Sequence, residues 1–120
     1  MAKKLLLLAA IAYTILLVMV SLIDLKGVPD LGSSFDDKIY HFLAYFVLAI
    51  LWITYSKQLK NRVKLYQVFL GMIVFGVVLE LIQHQLNPNR TYDTLDLLAN
   101  CLGVVVGTLI AARIDIIKLK

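Results

Sequence analysis

Charge is scarce in this chain. Charged residues make up 17% of its 120 positions, against about a quarter in soluble globular domains, and apolar side chains reach 61% with a mean hydropathy of +0.85. That balance excludes an ordinary soluble domain and reads as a small membrane protein. Cysteine is scarcer still. Cys101 is the single thiol, so the chain can close no internal disulfide, and its apolar surroundings make it a small filler. The two histidines, His41 and His84, lie on separate segments, so the helix turn bearing two histidines that marks many zinc sites is missing. A glycine-rich phosphate loop and a serine-centred elbow are also missing, which leaves nucleotide-dependent and covalent mechanisms without support. No cofactor is expected. No solenoid-period repeat or low-complexity stretch interrupts residues 1–120, which read as one domain.

What is present is a set of four apolar segments, at residues 5–23, 39–55, 68–86 and 95–117, the last cleanest between 97 and 112. A spanning helix needs roughly 20 mostly apolar residues, with about 17 near the lower limit. The pattern therefore predicts an all-α, integral membrane bundle of four transmembrane helices, the third qualifying if Glu80 is accommodated. The opening MAKKLLLLAAIAYTILLVMVSLI begins like a secretory signal. Its apolar run exceeds the usual core of about 7–15 residues and no small-x-small cleavage site follows, so it is expected to stay as a signal anchor. DLKGVPDLGSSFDDK has the composition of a loop, with Ser33 or Ser34 placed to cap a helix starting near Phe35. In NPNRTYDT, Pro88 stops the third helix and Thr91 or Asp93 can cap the fourth.

Basic residues give an orientation. Lys3, Lys4, Lys57, Lys60, Arg62, Lys64, Arg113, Lys118 and Lys120 cluster at one side of the spans, with Asp115 their single acidic companion. Both termini are therefore expected in the cytoplasm of a multi-pass protein of the cell membrane. The opposite side carries Lys26, Lys38 and Arg90 against seven carboxylates. Such an arrangement addresses the chain to anionic membrane lipids and makes nucleic acid an unnecessary partner.

The polar residues that interrupt the spans share one level, the extracytoplasmic end. Asp37, Lys38 and His41 lie there on the second span, Glu80, Gln83 and His84 on the third, and Asp93, Asp96 and Asn100 on the fourth. Asp37 and His41 are i,i+4; Gly76, Glu80 and Gln83 run i,i+4,i+7; Asp93, Asp96, Asn100, Gly103 and Gly107 follow in steps of three and four, so each helix carries one stripe. A charge in hydrocarbon costs at least about 2.5–3.5 kcal/mol at the bilayer centre. The stripes should therefore turn inwards, with Glu80 facing His41, Arg90, Asp96 and Asn100.

Three blocks, DKIYHFLAYFVLAIL, GVVLELIQ and NRTYDTLDLLANCLGVVVG, in this order on successive apolar segments, resemble the signature of the VanZ-like family, whose named member is associated with teicoplanin resistance. The resemblance covers roughly residues 35–110 and falls on Asp37, Lys38, His41, Phe42, Glu80, Gln83, Arg90, Asp96, Asn100, Gly103 and Gly107. It implies a multi-span membrane protein with a role at the cell envelope, and it implies no particular reaction. His84 lies outside the pattern and reads as an interfacial residue.

Each of these positions also has a plain structural reading. Gly103-x-x-x-Gly107 is a close-packing face between helices, and Asn100 and Gln83 can serve as interhelical hydrogen-bond partners. Lys38 and Arg90 can anchor at the headgroup level. Glu80, Asp96 and His41 are the hardest to explain by structure alone, although a Glu80–Arg90 or Asp96–His41 pair would do so. Taken as a site, Asp37, Lys38, His41, Glu80, Gln83, Arg90, Asp96 and Asn100 form an outward-facing polar pocket for an envelope lipid headgroup, a lipid-linked cell-wall intermediate or a glycopeptide. The alternative is an enzyme acting on such a headgroup, with Glu80 or Asp96 as base, His41 as its acid–base partner and Arg90 as anion clamp. His41, Glu80 and Asp96 also have donor types that divalent metals accept, but no metal is expected. A transporter needs more than four short spans unless the chain forms a homo-oligomer.

Overall fold

The computed structural model describes residues 2–22, 34–58, 65–86 and 94–113; the side chains at several helix ends, among them 34–38, 83, 84 and 94–96, lie outside that description. Four helices result: α1 (Ala2–Leu22), α2 (Ser34–Lys57), α3 (Leu65–Leu86) and α4 (Thr94–Arg113). Among the described residues there is no strand. Each helix covers the described part of its expected segment but starts before it, α2 already at Ser34, and α3 ends at Leu86, two residues before Pro88; residues 114–117 of the fourth segment lie outside the described residues. Pro88 and the candidate caps Ser33, Thr91 and Asp93 lie outside the described residues.

All four helices are apolar on nearly every face, the pattern of a buried or membrane-crossing helix. Three contain stretches long and apolar enough to cross a membrane, Lys3–Val20, Ile39–Lys57 and Leu65–Ile82, while α4 has the shorter stretch Leu97–Arg113. With 20 residues, α4 is still about 30 Å long at the helical rise of 1.5 Å per residue. Leu5, Leu8, Ile15, Leu16 and Met19 of α1 are all more than half exposed. So continuous an apolar face is a liability in water and ordinary in lipid, and the chain is a membrane protein.

Helices α2 and α3 each touch the other three, whereas α1 and α4 make no contact among the described residues. The tightest interface is α2 with α4. Gly103 lies against the backbone of Phe42 and Phe46, and Gly107 against the Phe46 carbonyl and Ala49, so the numbering of both helices rises together and they run parallel. Helix α3 runs back the other way and packs against both. At the basic end the Lys57 ammonium donates to the carbonyls of Ala111 (2.8 Å) and Ala112 (3.4 Å), placing a cation on the last turn of α4, where unsatisfied carbonyls and the helix dipole both favour it. Because these contacts run from one end of α4 to the other, α4 traverses the same layer as α2.

Helix α1 packs Leu6, Ala10 and Leu17 inwards and adds two hydrogen bonds through its mid-helix polar side chains Tyr13 and Thr14. The Tyr13 hydroxyl donates to the Ala44 carbonyl at 2.6 Å, and Trp52 Nε1–H donates to Thr14 Oγ1 at 2.9 Å. Tyr45, Leu48, Ala49, Ile53, Met72, Val104 and Ala111 form the buried core.

Candidate functional site

The site lies at the end of the bundle opposite the Lys57–Ala111 contact, where α2, α3 and α4 meet. Its geometry starts from a missing side chain. A Cβ on Gly76 of α3 would stand 3.1 Å from Tyr45 Cε2 and 3.6 Å from Asn100 Cβ, so hydrogen at this position lets α3 approach α2 and α4 together. One turn further on the same face comes Glu80, since i and i+4 stack in a helix. It is 3% exposed. The carboxylate is thus turned into the bundle and away from lipid, as the cost of exposing it requires.

Asn100 projects from α4 into the same junction and is 2% exposed. Its Oδ1 lies 2.9 Å from Nδ1 of half-buried His41. An amide oxygen only accepts, so Nδ1 carries the hydrogen and donates, and in the neutral ring Nε2 is the basic nitrogen. This bond joins α2 to α4 one turn before the Gly103 contact. Two of the expected site residues, His41 and Asn100, are thus joined across α2 and α4, and a third, Glu80, is buried one turn beyond the point where Gly76 of α3 meets Asn100.

Asp37 and Lys38 fall in α2, Gln83 in α3 and Asp96 in α4, but their side chains lie outside the described residues, as does Arg90 entirely. The expected contacts of Glu80 with Arg90 and Asp96 lie outside them too. Among the described residues no three His, Cys, Asp or Glu side chains gather into a metal-binding set; Asp96, the third of the candidate donors, is not among the described side chains. Gly103 and Gly107 prove to be packing positions, each against the backbone of α2.

Tyr45 is the member that the sequence reading passed over. It is buried at 3% exposure and its ring meets Gly76, one turn before Glu80 on α3. The signal was available: Tyr45 is four residues after His41 and so on the same face of α2. Its ring also stands 6.3 Å from that of Phe75, closing the floor of the polar junction towards the apolar core. Comparison with protein-family models, curated proteins and solved structures gives no match for this chain.

Proposed function

We propose that the chain is a VanZ-like protein of the cell membrane, with both termini cytoplasmic, whose extracytoplasmic polar pocket binds an envelope lipid headgroup, a lipid-linked cell-wall intermediate or a glycopeptide. One observation carries the reading: Glu80 and Asn100, at 3% and 2% exposure, are buried at one end of a bundle whose core is mostly apolar, and half-buried His41 is bonded to Asn100 there. Polar groups held in a membrane interior are expensive and usually functional. Two or three hydrogen-bonding residues suffice to glue helices together. Here they stand on three different helices at the end where the sequence also supplies Asp37, Lys38, Gln83, Arg90 and Asp96. Lys38 and Arg90 have the charge to attract a phosphate or carboxylate. Binding of this kind would alter susceptibility to envelope-directed antibiotics without turnover.

The test is to purify the protein in mild detergent, identify co-purifying lipids by mass spectrometry, and compare wild type with Glu80→Gln. Loss of one headgroup class in the variant, with folding intact, is the expected result; identical lipid content would sink the proposal. The second reading is acid–base chemistry on the same headgroup, favoured by the His41–Asn100 bond, which fixes the ring with Nε2 as its base. Chemical change of a bound lipid on incubation with wild type, lost in His41→Gln, would select it.

A further inference from the structure

On the other side of the α2–α3 seam, away from α4, lies a groove of about 190 Å³ whose lining includes Thr14 of α1, Leu48 and Trp52 of α2, and Gly71, Met72 and Phe75 of α3. We propose that this groove holds one hydrocarbon chain of a membrane lipid, as a site separate from the polar junction.

The lining presents carbon alone, and the reason lies in its hydrogen bonds. Trp52 spends its single N–H on Thr14 Oγ1, and Thr14 in turn donates to the Ala10 carbonyl at 2.7 Å. Both polar groups are thereby satisfied within the protein. A water in the groove would need two to four polar partners and would find none; even an apolar cavity of about 150 Å³ stays dry and takes up hydrophobic guests. The groove is larger than that. Its residues belong to the three stretches Lys3–Val20, Ile39–Lys57 and Leu65–Ile82, so it opens at the depth where lipid chains are the solvent. An empty groove would forfeit dispersion contacts along its whole lining, and a chain recovers them.

The opening itself is made by a glycine. A Cβ on Gly71 would meet nothing within 4 Å, although this residue sits inside α3. Close helix packing, which explains Gly76, Gly103 and Gly107, does not explain Gly71. What its missing side chain provides is space against the Trp52 and Met72 walls.

Trp52 is the only tryptophan in the chain, so its fluorescence reports on this groove alone. Full-length protein in detergent micelles is titrated with phosphatidylcholine brominated near the middle of one acyl chain. Saturable quenching near one lipid per protein, reversed by unbrominated phosphatidylcholine, is the expected result. Gly71→Leu, which fills the groove, should abolish the saturable component, while Val74→Leu on the exposed face of α3 should leave it unchanged. Quenching that rises linearly without saturation, or a curve that Gly71→Leu does not alter, would overturn the proposal. Protection that grows with protein concentration and resists lipid competition would place a neighbouring copy in the groove and overturn it equally. Competition by unbrominated lipid needs only wild-type protein, and neither outcome depends on the polar site.

Discussion

Gly107 of α4 lies so close to Phe46 of α2 that a Cβ at that position would stand 2.6 Å from the Phe46 carbonyl oxygen and 2.8 Å from the Ala49 Cβ. Neither neighbour is the loose end of a side chain. Lipid tails are as apolar as helix surfaces, so helices in a bilayer hold together chiefly by close contact, and small residues permit it. Gly107→Ala is therefore expected to cost about 1–3 kcal/mol by overpacking, as is Gly103→Ala, which would meet the Phe42 and Phe46 backbone. Gly71→Ala should have the opposite sign, a gain of up to about 1 kcal/mol from helix propensity. Thermal unfolding of the three variants in one detergent provides the check.

Asn100→Leu removes the acceptor of the His41 Nδ1–H. Hydrogen bonds between membrane helices average about 0.6 kcal/mol and reach about 1.7, so the stability loss should be modest. The imidazole should respond more plainly. Nitrogen NMR of His41 is expected to show a single Nδ1–H tautomer in the wild type and a mixture in Asn100→Leu.

Glu80→Gln keeps the volume and a hydrogen-bonding amide while removing the charge. Folded yield should change little and any envelope phenotype should be lost. A purely structural Glu80–Arg90 pair would behave otherwise: breaking a buried pair costs about 3–5 kcal/mol, and removing both charges recovers much of it. Recovery of the phenotype in Glu80→Gln, Arg90→Gln, beside an unstable single variant, would reduce the junction to helix glue.

Lys57→Met deletes the cation on the last turn of α4. The expected cost is about 0.3–1 kcal/mol, concentrated at residues 109–113. Hydrogen exchange should quicken there and remain unchanged around Asn100.

Orientation can be read by labelling single cysteines in a Cys101→Ser background. A cysteine at Ser33 should react with an impermeant reagent added outside cells, and one at Asn61 only after lysis. Reaction at Asn61 from outside would invert the proposed topology.

Apolar length and turn residues made the four helices legible in the sequence, and the expected and observed segments differ mainly at their ends, where tertiary contacts such as Lys57 on Ala111 extend a helix past its apolar run. Steps of three and four identified Glu80 and Asn100 as inward-facing, and both are buried. The same arithmetic marked Gly103 and Gly107 as a packing face, but a stripe of small residues does not name its partner. That partner is α2, reached by backbone contacts that leave no trace in residue type. The groove was equally illegible, because nothing local distinguishes Gly71, which leaves a space, from Gly107, which closes one.

The parallel union of α2 with α4 also sets an order of events during the protein's birth. Synthesis runs from the N-terminus, so α1, α2 and α3 enter the membrane before the helix that makes the tightest interface exists. Until it arrives, the Phe42–Phe46–Ala49 surface lacks its Gly103 and Gly107 partners and His41 lacks the Asn100 oxygen that accepts its Nδ1–H hydrogen bond. The last helix inserted therefore finishes both the scaffold and the polar junction in one step.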